Sequence, residues 1–222
     1  MTFGLKKSVF KFSTVVALGL GLVACGDSGD GITTGDYKPA SETQTSIPDG
    51  ATGHFGDIVY GSKDAPVEVI EYASLTCPHC ATFESTTFKQ LKEKYIDTGK
   101  IRFIYRNFVM NAPDLQASVF MRCMDEDFAK KSKKILFERQ RTWLSGDPAN
   151  GLAAEARRMG IPRTRMDKCL ANKDMQLHLA EMKDISIKEY DLNATPTLIV
   201  EGGKVEVPTF ENLEKAIEAV LK

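Results

Sequence analysis

The residues best equipped for chemistry are Cys77, Pro78, His79 and Cys80, a C-x-x-C tetrapeptide. It follows an apolar, strand-like run and opens a helix-like one, the arrangement of a redox-active dithiol. Two intervening residues bring both sulfurs onto the first helical turn. There Cys77 meets unpaired backbone N–H groups and the positive end of the helix dipole, which favour its thiolate. A stable thiolate makes the dithiol state favourable and the disulfide a strong oxidant. His79 stands where it can support that thiolate. Pro78 occupies a first-turn position, where its missing N–H costs little. A zinc site would need further ligands at suitable spacing. The other histidines are His54, beside a polar stretch, and His178, on a polar helical run, both expected to be exposed, and there is no second C-x-x-C.

Three further cysteines carry separate expectations. Cys123 and Cys169 fall on apolar stripes of two predicted helices, and in an oxidising compartment they are expected to form a structural disulfide. Cys25 follows a different pattern. Lys6, Lys7 and Lys11 precede an apolar run from Phe12 to Val23, with no acidic residue before Asp27. These are the charged and apolar regions of a secretory signal, and the run is short for a spanning helix, which needs ~20 apolar residues. It ends Leu22-Val23-Ala24-Cys25-Gly26, which resembles the lipobox of bacterial lipoproteins. The resemblance implies a signal over 1–24 and lipidation of Cys25. Its removal takes away three lysines and no acid, moving the formal charge from −1 to −4. Residues 25–53 are rich in Gly, Asp, Ser and Thr without periodicity, and are expected to form a lipidated, flexible tether.

The elements that must position the tetrapeptide are legible around it. Ile58-Val59-Tyr60 suggests a short strand, and the run around Ile70 a buried one. Residues 77–95 read as one helix stopped by Thr98-Gly99. Residues 101–108 read as a strand in which Phe103 and Tyr105 alternate with charged neighbours. Strand, crossover helix and strand make a βαβ unit with parallel strands. From about 112 to 190 the pattern is helical, with Pro162 in a helix first turn and Met175, Leu179, Met182 and Ile185 on one apolar stripe. The lysines at 130, 131, 133 and 134 read as a solvated face. Strands return at 197–200 and 205–207, joined by a Gly202-Gly203 turn, and Thr209 caps a last amphipathic helix. The chain is thus expected to be α/β, βαβ then ββα, with an inserted α-helical domain: 54–111 and 191–222 form the sheet domain and 112–190 the insertion.

The segment Glu71-Tyr-Ala-Ser-Leu-Thr-Cys-Pro-His-Cys80 resembles the active-site strand and helix start of the DsbA-like, thioredoxin-fold disulfide oxidoreductases. Ala194-Thr195-Pro196-Thr197 is similar to their cis-proline loop. The likeness covers about 54–222. It implies that Cys77 is the exposed attacking cysteine, Cys80 the buried one, and Pro196 cis. Thr195 would present its backbone to an extended substrate beside the disulfide. Glu71 matches the family's acidic residue beneath the disulfide, a proton acceptor for Cys80.

The expected function is a thiol:disulfide oxidoreductase that introduces disulfides into exported proteins on the periplasmic face of a bacterial membrane. It needs no cofactor beyond the Cys77–Cys80 disulfide. The resemblance implies reduced exported proteins as substrates and a quinone-linked membrane protein as reoxidant. An isomerase or reductase of the same superfamily is the alternative, disfavoured because no heptad-bearing oligomerisation arm is present; a monomer is expected. A lipid-tethered copper binder is a third reading, since soft thiolates favour Cu(I), but the eight methionines are scattered at core spacings. The balance of 29 basic and 30 acidic residues argues against nucleic acid as a partner.

Overall fold

The computed structural model describes Met1 and residues 52–221. Cys25, the expected signal and nearly all of the tether lie outside the described residues. Five strands form one sheet in the order β1-β3-β2-β4-β5. They are β1 (Ile58–Tyr60), β2 (Val67–Ala73), β3 (Ile101–Asn107), β4 (Thr197–Val200) and β5 (Gly203–Val205). β2 and β3 run parallel, in the register Val69–Phe103 and Glu71–Tyr105. β1, β4 and β5 add antiparallel neighbours. All seven residues of β2 are buried, as expected for a central strand covered on both faces.

Side-chain alternation sorts the sheet into two faces. Val67, Val69, Phe103, Leu198 and Val200 pack on one face against Phe83, Phe88, Leu213 and Ile217. Ile70, Tyr72, Ile104 and Ile199 pack on the other with Phe108 and Leu192. Period two therefore turns Glu71 toward the first face, between Val69 and Ala73.

The crossover is not one helix. It divides into α1 (Pro78–Ser85), α2 (Thr87–Leu91) and a π-helical turn at Lys92–Ile96. The break is at Thr86 (φ −120°, ψ −80°). Ser and Thr hydroxyls that bond back to carbonyls of the preceding turn bend helices. Here Thr82 donates to Pro78 O, and both Ser85 and Thr86 donate to Thr82 O.

The helical block contains α3 (Ala112–Met121), α4 (Glu126–Glu138), α5 (Gln140–Trp143), α6 (Pro148–Arg158), α7 (Arg163–Leu170) and α8 (Lys173–Tyr190). α9 (Phe210–Val220) closes the fold, with the Thr209 hydroxyl accepting from Asn212 N. Pro162 is the N-cap of α7 rather than a residue of its first turn. Cys123 and Cys169 are bonded, with Cα atoms 5.5 Å apart. Cys123 lies two residues past α3 instead of on its stripe, because that helix ends at Met121. The β4–β5 turn is Glu201-Gly202, not Gly202-Gly203. Both turn residues have positive φ, 46° and 79°, which is what a two-residue hairpin turn requires, and Val200 pairs with Gly203.

Two further corrections concern burial. His178 is not exposed: it is 4% accessible and packs edge-on against Phe55 at 5.0 Å. Its burial, assisted by Arg122, lowers its pKa to about 4. It belongs to the stripe Met175, Leu179, Met182, three positions past Met175 and four before Met182. Lys133 is likewise no part of a solvated face, for its accessibility is 0%. It lies on the inward stripe Ala129, Ser132, Leu136, Phe137 of α4 and reaches the site described next. His54 is half-buried and contacts Asp57 O through Nε2 at 2.8 Å.

Candidate active site

β2 delivers the chain to the tetrapeptide, and Ser74 to Thr76 turn it into α1. Cys77 is the N-cap, in extended conformation, and Pro78 stands at the first turn. Ser74 and Thr76 hydroxyls lie 3.0 Å apart, and Asp114 Oδ1 accepts from Leu75 N at 2.9 Å, fixing the turn. Gln140, from the helical block, donates to Leu75 O and Cys77 O at 3.0 and 2.9 Å. Side chains of the turn itself and of the helical block thus hold the backbone under Cys77.

The two cysteines are free thiols with different environments. Cys80 is wholly buried, and Cys77, expected to be exposed, is itself largely covered and retains 9% accessibility. The Cys77 pKa falls from 9.0 to about 5. Donation from the Cys80 thiol is the largest cause; burial opposes it, and the Thr195 side chain and the backbone N–H groups of Cys80 and His79 add to the lowering. The His79 contribution is through its backbone, while its imidazole is exposed. Burial holds the Cys80 thiol far above its ordinary value, helped by its donation to Cys77 and by the nearby Glu71 charge. The pair is therefore asymmetric: one sulfur is set to be a thiolate and the other to keep its proton.

Across from Cys77 the Thr195–Pro196 bond is cis. As a thiol, Cys77 donates to Thr195 O at 3.3 Å. The Thr195 hydroxyl faces Met110 Sδ at 3.5 Å. The resemblance singled out Pro196 and Thr195 over a separation of more than a hundred residues, and the fold sets them against Cys77.

Beneath the cysteines, Glu71 is completely buried. Neither carboxylate oxygen has a hydrogen-bond partner among the described residues. Burial raises its pKa from 4.5 to about 8, against a lowering by Lys133. A buried carboxyl without partners is costly when ionised, so near neutral pH it holds a proton. Lys133 reaches this pocket from α4. Its Nζ pairs with Glu84 at 2.8 Å and sits 4.2, 4.8 and 4.9 Å from the ring centres of Phe88, Tyr60 and Tyr105. Burial alone would lower the Lys133 pKa, but Glu84, Tyr60 and Glu71 together raise it. Lys133 and Glu84 are the site residues that sequence reasoning missed. The signal was present: Lys133 is four residues after Ala129 and four before Phe137, in phase with the apolar stripe.

Residues 54–219 match the Thioredoxin family model. The chain belongs to the thioredoxin family. A Rickettsia prowazekii protein named as a protein-disulfide oxidoreductase is 32% identical over 167 residues, 74% of this chain and 61% of that protein. The chain spans under two thirds of the length of this and a similar Rickettsia bellii relative. Disulfide bond formation protein D of Bacillus subtilis is 26% identical, over 75% of this chain and 78% of the relative. Among solved structures, Wolbachia pipientis alpha-DsbA1 superposes with a TM-score of 0.69 at 24% identity, covering 82% of this chain and 96% of that one. Thioredoxin-family membership accounts for the βαβ and ββα units around the tetrapeptide, and the DsbA likeness for the helical block set between them.

Proposed function

We propose that the protein is a thiol:disulfide oxidoreductase that introduces disulfides into exported proteins, working from a lipid anchor at Cys25 on the periplasmic face of a bacterial membrane. The observation that carries the chemistry is the asymmetry of the dithiol, with Cys77 shifted to about 5 and Cys80 held as a thiol. The names of the Rickettsia and Bacillus relatives support the same chemistry. The signal pattern and the likeness to a lipobox support the exported, anchored reading.

In the oxidised protein a substrate thiolate attacks Cys77 Sγ. The Cys77–Cys80 bond breaks, its electron pair leaves on Cys80, and Glu71, protonated near neutral pH and so in this step a donor rather than the acceptor the resemblance implied, supplies a proton to that sulfur. A second substrate thiolate then attacks the substrate sulfur of the mixed disulfide. The substrate disulfide forms and Cys77 departs as a thiolate, a good leaving group because its pKa is low. The substrate loses two electrons and the protein gains them. Cys80 keeps one proton, Glu71 recovers one from solvent, and reoxidation of the dithiol falls to a quinone-linked membrane protein.

The test pairs two assays on the full chain: oxidation of a reduced dithiol peptide and recovery of activity from scrambled ribonuclease. Fast peptide oxidation with little unscrambling supports the oxidase. The converse supports the isomerase, and failure of both refutes disulfide exchange.

A further inference from the structure

A concave surface that begins beside the redox site belongs to no step of this chemistry. It is a cavity of about 760 Å³ between α1–α2 and α4–α5, on a face of α1 that begins at Pro78, the residue after Cys77. Its floor is aromatic. Phe88 and Phe137 are buried there, and Tyr60 packs edge-on against Phe88 with ring centres 5.1 Å apart. Its rim is basic: Lys89, Lys92, Lys130, Lys131, Lys134 and Arg141 line it, against the carboxylates of Glu84 and Glu138 only. Glu84 is buried and turned to Lys133, and Glu138 lies 3.9 Å from Lys134. Lys92 and Lys130 pair with Asp97 and Glu126. Lys89, Lys131 and Arg141 are exposed and form no ion pair among the described residues. A rim with this positive excess stands out on a chain whose formal charge is −1.

We infer that this groove docks an acidic segment of the reduced protein substrate, flanking the cysteine to be oxidised, with an apolar side chain on the aromatic floor. The inference rests on the proposed exchange at Cys77 and adds a substrate class to it. Charge complementarity selects the occupant. Clefts lined by one sign of charge concentrate the opposite one and raise association rates, by ~10 to 10³-fold. A low-dielectric aromatic floor strengthens that attraction. Position supplies the function: a chain lying from Pro78 along α1 holds its cysteine beside Cys77, which raises the effective concentration of the attacking thiolate. The Cys77 end of the groove is fixed, because Gln140 in its wall donates to Cys77 O.

The test uses the full chain and two synthetic peptides that contain Ser in place of Cys, one with four carboxylates around a phenylalanine and one with four lysines around it. Binding is measured by calorimetry at low and high salt. The acidic peptide should bind about 10-fold or more tighter at low salt, and high salt should erase most of the difference. Lys89→Glu/Lys131→Glu/Arg141→Glu should reverse the preference, and the neutral set Lys89→Gln/Lys131→Gln/Arg141→Gln should abolish it. Equal affinities at low salt, or a preference that none of these variants alters, overturns the inference. So does binding to phosphatidylglycerol vesicles that depends on these residues when the acidic peptide does not bind, which would assign the groove to a lipid surface. The peptides carry no thiol, so the result stands apart from the exchange chemistry. Oxidation of dithiothreitol by the unaltered protein reports on that separately.

Discussion

Replacing Glu71 by glutamine tests the buried carboxyl most directly. Glutamine keeps the shape of the protonated acid and removes the titration. The carboxyl is wholly buried in β2 between Tyr105 and Leu198 and has no hydrogen-bond partner among the described residues. Its pKa is raised from 4.5 to about 8, so the folded state binds a proton that the unfolded chain releases. By linkage, the stability this provides is complete below the unfolded value and is lost as pH rises from about 4.5 through about 8. At about 1.4 kcal/mol per pH unit, the loss reaches about 3 kcal/mol by pH 7 and at most about 5 kcal/mol above pH 8. The oxidised protein is the sample to use, because Cys77 and Cys80 then do not titrate; the Cys77 charge, the last of the causes that raise Glu71, is absent there, so these figures are upper bounds. Urea denaturation of wild type and Glu71→Gln at acid, neutral and mildly alkaline pH gives the difference in stability, from which other titrating groups cancel. Glu71→Gln should gain on wild type steadily across this window, while exchange at the Cys80 sulfur slows. A difference between the two proteins that does not change with pH would refute the assignment.

Lys133→Met should destabilise the fold by roughly 3–5 kcal/mol, because it leaves a buried Glu84 carboxylate uncompensated. Adding Glu84→Gln should restore part of that in a double-mutant cycle, whereas a variant indistinguishable from wild type in urea would mean that Lys133 is solvated. In the reduced protein, ultraviolet absorbance of the Cys77 thiolate should titrate near pH 5. Its depressed pKa stabilises the dithiol above the unfolded thiol value, and this is lost as pH falls through about 5; a midpoint near 9 would contradict the geometry. Cys77→Ser should abolish oxidation of dithiol peptides and Cys80→Ser should accumulate a mixed disulfide on non-reducing gels, while turnover by Cys77→Ser would move the attacking role elsewhere. Cys123→Ala/Cys169→Ala opens a loop with a sequence separation of 46. It should cost about 4 kcal/mol in the chain-entropy model, a drop on the order of 10 °C in Tm, with oxidase activity retained in the folded protein.

The sequence by itself determined the chemistry-bearing tetrapeptide and most of the elements around it. C-x-x-C after an apolar strand and before a helix is a local arrangement, and every residue that creates it lies within a short stretch of chain. The helical block was legible for the same reason, since apolar spacing records which helix face must be covered. Two errors came from weighing composition over phase. Lys133 stands among four lysines, yet its position on the stripe with Ala129, Leu136 and Phe137 buries it. His178 stands among polar neighbours, yet it shares a face with Met175 and Met182. The break at Thr86 was also local but hidden, because the hydroxyls that bend the chain are as common on straight helices.

Only the tertiary structure decided what meets what. Glu71 lies on β2 and Lys133 on α4, and nothing in their spacing says that they share one buried pocket with Glu84. The raised carboxyl follows from that enclosure, since burial penalises its charge more than Lys133 relieves it. Likewise the Thr195–Pro196 loop, whose cis bond the resemblance implied, meets Cys77 from more than a hundred positions away only because β4 pairs with β2. The basic groove exists only where α1 and α2 face α4 and α5. Charge in a sequence is a sum, whereas recognition depends on where packing leaves that charge exposed.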